Sequence, residues 1–339
     1  MSRMRHIVMA VCAVMATGSG ADLLAPRDFL ETAQHVASAE RVPALGVVVV
    51  IGGDVVVHMV SGIHDGDAVP VTTDSVFRVG DVSAVITALA ATRLAAERRI
   101  DLESDLRASY DWLAERYDEP MTIRQLLTHT SGLDDPLTGW ASYLPGEVEP
   151  LGEYLQNALP PRIEDSPLPR YSRHGVALVG WHVAETMGTT FVEAMHRLVL
   201  GPLGMTSSTF TSPTSKRPAD RVVRAMPCPS RRCDPLPEVH WKPLPAGAFT
   251  TSTADMTRLL QALTTRPDTE FAMLRERAWG EAEFAMGLGL AEQKVAGMQA
   301  FVLAGQDMRG FKSLFAIVPE SQAGLFVVTS GGTEKTGGR

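Results

Sequence analysis

The sequence predicts an α/β protein of α+β character, with one sheet built from strands at both ends of the chain. Two β-branched runs, Leu45–Ile51 and Val55–Val60, flank Gly52-Gly53-Asp54, which is a strong hairpin signal. Far along the chain, Phe301–Leu303, Ser313–Val318 and Leu325–Thr329 read as further strands. Between these groups, residues 102–243 alternate helical periodicity with proline-rich loops. A sheet closed by segments so far apart implies one folding unit rather than two separable domains.

Each element can be justified in order. Arg3 and Arg5 precede the apolar run Ile7–Ala16, and small residues follow to Ala21. This reads as a signal peptide over residues 1–21, cleaved near Gly18–Ala21, with export to the periplasm or the extracellular space. Cys12 lacks the small preceding residue of a lipoprotein signal. Residues 26–41 carry helical spacing and open the mature chain, residues 22–339. After the hairpin, residues 81–99 form an alanine-rich helix, with Asp81 near its N-terminus where a carboxylate suits the dipole. Residues 134–150 form a proline-bearing loop with Trp140 and Tyr143, aromatics placed either to roof a pocket or to pack on the surface. Ser252-Thr253-Ala254-Asp255 is positioned to cap a helix over 256–263. Turns follow at 307–310 and 319–324.

Composition excludes several classes. The chain has 339 residues, 45% of them hydrophobic and 21% charged, which suits an ordinary globular core. A formal charge of −8 without any basic run argues against a nucleic-acid partner. Past the leader, no apolar stretch is long enough to span a bilayer, so no transmembrane segment is expected in the mature chain. Cys228 and Cys233 frame a short proline-rich loop, which suits a disulfide in an oxidising compartment, two free thiols being the alternative. His182 and Glu185 share helical spacing but have no second ligand pair, so no metal and no cofactor is expected.

The residues that carry chemistry form three groups. Phe77-Arg78-Val79-Gly80-Asp81-Val82-Ser83-Ala84 has the surroundings of a strand-to-helix turn; Tyr171-Ser172-Arg173 and Leu303-Ala304-Gly305 are the others. Around them stand Thr122-Ile123-Arg124-Gln125-Leu126-Leu127-Thr128-His129-Thr130-Ser131-Gly132-Leu133, Gly201-Pro202-Leu203-Gly204-Met205, Pro245-Ala246-Gly247 and Gly287-Leu288-Gly289. On these motifs the chain, from about Asp28 to Ser330, resembles the class C β-lactamase and penicillin-binding-protein-like serine hydrolases. The resemblance implies a β-lactamase/transpeptidase-like fold: an antiparallel sheet flanked by helices plus a helical lobe, with the site between. The sheet lobe would take about 22–80 and 244–330, and the helical lobe about 81–243. It also implies that the 122–133 run, His129 and Ser131 included, caps a helix and supports the site.

Against that pattern, all three catalytic motifs are altered. Ser-x-x-Lys would supply a nucleophile and, three residues on, the lysine that activates it. Here those positions read Asp81 and Ala84, and none of the five lysines has a serine three residues before it. Tyr-Ser-Asn becomes Tyr171-Ser172-Arg173, and Lys/His-Thr-Gly becomes Leu303-Ala304-Gly305 beside Gln306. An acyl group on a carboxylate would be a mixed anhydride, so acyl-enzyme chemistry is expected to be lost. The gained anion and gained cation suggest an Asp81–Arg173 pair.

Three functions stay open on these residues. One is a non-catalytic protein that binds a small molecule, peptide or protein through the inherited cleft. Another is an enzyme with altered acid/base chemistry, such as cyclisation or isomerisation, using Asp81, Tyr171, Arg173 and His174. The third is a weak esterase using Ser83 or Ser172. Family members usually cover the sheet with a helix after the last strand. Here only the glycine-rich residues 331–339 follow, so either the sequence is a fragment or the sheet face is partly bare, and an uncovered apolar face would want a partner chain.

Overall fold

A computed structural model describes residues 26–65, 69–136, 138–163, 168–211, 222–228, 233–281, 285–295, 297–306 and 310–332. The expected signal peptide lies outside them, as does the 307–309 part of the expected turn. Helix α1 (Pro26–Ala39) leads into the hairpin β1 (Ala44–Ile51) and β2 (Asp54–Gly62). A short β3 (Val76–Arg78) precedes the long helix α2 (Ser83–Ala96). The middle of the chain holds α3 (Asp111–Ala114), α4 (Ile123–Leu127), β4 (Ala141–Ser142), α5 (Leu151–Ala158), α6 (Arg173–Met187) and α7 (Phe191–Met195). Next come β5 (Met226–Pro227), β6 (His240–Trp241), α8 (Leu244–Gly247), β7 (Thr250–Ser252), α9 (Thr253–Thr265) and α10 (Thr269–Leu274). The chain returns through β8 (Ala291–Val295), β9 (Met298–Gln306), β10 (Lys312–Val318), β11 (Ala323–Thr329) and β12 (Gly331–Gly332).

The main sheet has the order β2-β1-β11-β10-β9-β8, antiparallel throughout. Its closing seam pairs the chain ends, Leu45 with Thr329 and Ile51 with Ala323. Side-chain alternation then splits every central strand between two cores. Val48, Val50, Phe315, Ile317, Phe326 and Val328 pack into the larger core with α2, α6 and α9, while Val47, Val49, Leu314, Ala316, Leu325 and Val327 form the opposite one. Because both faces are buried, β1 and β11 read as unbroken apolar runs.

Three expectations need correction. The face expected to be bare is buried: Ala33 of α1 lies within that second core, with Leu30 and Ala37 packed against it. An N-terminal helix does there what a C-terminal one was expected to do. The helix expected over 81–99 starts two residues later, after a 3₁₀ turn at Gly80–Val82, and ends at Ala96, with Arg98 left-handed at φ 56°. Strand β8 went unread because its Ala291–Val295 stretch is mostly polar and only partly buried, as an edge strand can be. No helix among the described residues is long and apolar enough to cross a membrane.

Candidate functional site

The first part of the site is the turn between β3 and α2. Gly80 takes φ +51°, a conformation that favours glycine, and turns the chain so that Asp81 faces inward, only 5% exposed. Ser83, buried beside it, donates to the Gly80 carbonyl at 2.6 Å and accepts from the Phe249 N–H at 3.0 Å. Its hydroxyl is thereby used to brace the turn against the end of α8. Ala84 is fully buried and sits in a small apolar cluster with Val176, Ala246 and Leu303.

Helix α6 supplies the second part. Ser172 is its N-cap: the hydroxyl accepts from the Gly175 N–H at 3.2 Å and donates to the Asp134 carbonyl at 3.0 Å. That cap fixes Tyr171 just before the helix and Arg173 at its first position. The Arg173 guanidinium meets Asp81 at two points, Nε 2.9 Å from Oδ1 and Nη2 donating to Oδ2 at 3.2 Å. It also donates through Nη1 to Asp135, whose other oxygen accepts the Arg173 backbone N–H at 2.9 Å. A carboxylate suits this helix N-terminus and a guanidinium does not, so Asp135 serves both the free N–H and the arginine. The expected Asp81–Arg173 pair is present. Asp135 is the member that sequence reasoning missed, although a cation gained in a buried site is a signal to look for every nearby carboxylate.

The electrostatics follow from burial and from these charges. Burial alone would raise the Asp135 carboxyl, but the neighbouring His174 and the charge and backbone N–H of Arg173 hold it below the ordinary range. Burial would lower the Arg173 guanidinium, and Asp81 and Asp135 together more than offset it. Burial, and then the negative charge of Asp81, push the Tyr171 hydroxyl well above its ordinary value. Asp81 thus acts on Tyr171 both through its charge and as a hydrogen-bond partner. The buried His129 packs against Tyr171 with the rings tilted, 4.5 Å between centroids, and burial lowers it to about 4. Both its ring nitrogens lack hydrogen-bond partners among the described residues. His174 joins the Tyr154 hydroxyl through Nε2 at 2.9 Å, while its Nδ1 lies 3.8 Å from Asp135 Oδ1.

The third part is β9. Leu303 closes the apolar cluster over Ala84. Gly305 lies so near the turn that a Cβ there would stand 2.4 Å from the Val79 carbonyl and 2.2 Å from Ser313 Oγ. Ser313 in turn donates to that same carbonyl at 2.7 Å. Glycine is required at 305 because strand and turn touch. The Gln306 side chain lies outside what is described.

Other expected residues sit elsewhere. Trp140 belongs to the main core, its ring tilted against Trp241 at 4.3 Å, and Tyr143 is 54% exposed. Packing, rather than roofing a pocket, accounts for Trp140, since β4 pairs with β6 directly beneath it. Cys228 and Cys233 are joined in a disulfide, just after β5 pairs with β12. In the 122–133 run, Thr122 accepts from the Gln125 N–H and the Gln125 side chain accepts in return, a capping box that opens α4. No group of His, Cys, Asp and Glu among the described residues is arranged to hold a metal ion.

Chemically, this arrangement holds charge firmly. An Asp135 carboxylate kept ionised is a poor base at neutral pH, and a Tyr171 proton held by burial is not released.

Comparisons with known proteins agree with the fold. A beta-lactamase of Providencia stuartii is 24% identical over 180 residues, covering 52% of this chain and 45% of that protein. Penicillin-binding protein 4 of Amycolatopsis lactamdurans is 30% identical over 189 residues, covering 53% of this chain and 46% of that protein. The chain thus spans about half the length of these relatives. Among solved structures, the octameric penicillin-binding protein homologue from Pyrococcus abyssi superposes with a TM-score of 0.74 at 20% identity, covering 89% of this chain and 72% of that one. The family model described as Beta-lactamase matches residues 28–338, so the chain belongs to the beta-lactamase family.

Proposed function

We propose that this chain is a beta-lactamase-family protein that does not carry out acyl transfer and instead binds a small-molecule or peptide ligand through the inherited cleft. The observation that carries the reading is the Arg173 guanidinium held between Asp81 and Asp135, at the positions where the family resemblance expects a nucleophile and an amide-binding asparagine. Two neighbouring hydroxyls are also engaged, Ser83 by Gly80 and Phe249, Ser172 by Asp134 and Gly175. Around Ala84, the apolar contacts of Val176, Ala246 and Leu303 offer no base. One relative is named for binding penicillin, and the proposal carries over the cleft rather than a reaction. An acid/base enzyme is the weaker reading, because Asp135 is held ionised and Tyr171 is held protonated. The protein would act after export as one folding unit, and the Cys228–Cys233 disulfide supports an oxidising compartment.

Turnover of nitrocefin and of p-nitrophenyl esters tests this reading. Rates equal to those of an Asp81→Ala variant are expected, and hydrolysis well above that variant's would overturn it.

A further inference from the structure

The stretch of chain that returns to the site begins at a disulfide. Before it, β5 is bonded to β12 and to the residue ahead of β12. The Met226 N–H donates to the Ser330 carbonyl at 2.6 Å and the Cys228 N–H to the Gly332 carbonyl at 3.1 Å. A Cβ on Gly331 would stand 2.0 Å from the Met226 carbonyl oxygen, so the two strands touch. Cys228, at 0% exposure, follows this seated strand. The partly exposed Cys233 opens residues 233–239, which run on to β6 and α8. In that run the Leu236 N–H donates to the Ala225 carbonyl at 2.8 Å, and Arg224 Nη2 donates to the Leu236 carbonyl at 3.0 Å. Glu238 accepts from Arg78 at 3.1 Å, three residues before Asp81.

Two observations set this bond apart from a structural staple. The Cys228 Sγ lies 3.3 Å from the Arg41 carbonyl oxygen and 3.5 Å from the Met226 carbonyl oxygen. A disulfide sulfur has no hydrogen to offer either oxygen, whereas a thiol donates to one of them. Reduced Cys228 therefore gains a hydrogen bond where it already sits. The second observation is the sequence separation of 5 between the two cysteines. A loop that short constrains the unfolded chain little, so the fold does not depend on the bond.

We propose that Cys228–Cys233 is a redox switch, which on reduction leaves β5 in place and releases residues 233–239 at their Cys233 end. A dithiol reductant supplies the chemistry by exchange. One of its thiolates attacks Sγ of Cys233, the more exposed residue, breaking the S–S bond and expelling Sγ of Cys228. Its second thiol then displaces Cys233 from the mixed disulfide. The reagent leaves as a disulfide, and its two hydrogens end on the two cysteines. Through the Arg78–Glu238 pair the released run adjoins β3, so the switch acts beside the charged site without changing its charges.

Alkylation and hydrogen exchange of the intact protein in dithiothreitol read the switch. The reduced protein should keep the cooperative urea unfolding of the oxidised one. Iodoacetamide should modify Cys233 at least about tenfold faster than Cys228, with Cys12 told apart by peptide mapping. After reduction the Leu236 amide should exchange at least about tenfold faster, while the Met226 and Cys228 amides keep their rates. Oxidised dithiothreitol should restore the slow Leu236 exchange. Cys233→Ser, which leaves the Cys228 thiol alone, should match the reduced parent. Reduction that occurs only on unfolding, or equal labelling of the two thiols, would overturn the proposal. So would a Leu236 amide unchanged in both the reduced parent and Cys233→Ser.

Discussion

Arg173 holds Asp81 at two points, with Nε and Nη2 at 2.9 and 3.2 Å from the two carboxylate oxygens. The pair lies between β9 and the start of α6, where strand sheet and helical layer meet. It joins segments 92 residues apart, and Asp135 adds a third. A buried charge cluster of this kind is rigid when complete and costly when broken.

Removing the guanidinium should therefore cost more than removing one carboxylate. Arg173→Ala leaves Asp81 and Asp135 close, buried and without their shared cation, and should lower stability by about 3–5 kcal/mol. Asp81→Ser leaves Arg173 still paired with Asp135, so its cost should stay within about 1–3 kcal/mol. Urea unfolding of both variants measures the order. Equal losses would mean that Asp135 contributes nothing to holding the arginine.

Restoring the first motif alone should fail. In Asp81→Ser/Ala84→Lys, the new lysine enters the apolar cluster of buried Val176 and Ala246 and partly buried Leu303, where an unpaired cation is strongly disfavoured. Nitrocefin turnover should remain at background. Adding Arg173→Asn and Leu303→His removes the obstructing guanidinium and the apolar lid, and slow p-nitrophenyl ester hydrolysis should appear. Strong activity in the double variant would show that the second and third motifs never blocked the reaction.

The acid side of the stability profile should carry a His129 component. Burial lowers this imidazole from 6.5 to about 4, so the unfolded chain takes up a proton below pH 6.5 that the folded chain refuses until about pH 4. Stability therefore falls as pH drops through that window and is unaffected above it. The loss should reach roughly 3 kcal/mol, at 1.36 kcal/mol per unit. His129 has φ +58°, a conformation asparagine tolerates, so His129→Asn keeps the backbone and removes the titration. His58 and His182 are lowered in the same direction, so the test is the difference between variant and parent. A variant with the same slope between pH 6.5 and 4 would contradict the assignment.

Much of this was legible in the sequence, for physical reasons that differ by element. The hairpin at Gly52–Asp54 and the strands at 312–318 and 323–329 carry local turn chemistry and β-branched runs, so they could be read directly. The Asp81–Arg173 pair was legible because two opposite charges appear where the family resemblance expects a serine and an asparagine. Asp135 was not, since it lies in a loop whose path no local pattern fixes, held at Arg173 in part by the Ser172 hydroxyl bonding the Asp134 carbonyl. The placement of Trp140 was left open, and the face covered by α1 was misread, because both depend on which distant segment packs there.

Intact-mass spectrometry measures acyl transfer by this chain most directly. The protein is incubated with a penicillin and, separately, with a fluorophosphonate, then weighed without unfolding losses. With Asp81 held by Arg173, and with Ser83 and Ser172 both hydrogen-bonded, the mass is predicted to be unchanged after either reagent. A stoichiometric adduct mapped to Ser83 or Ser172 would contradict it.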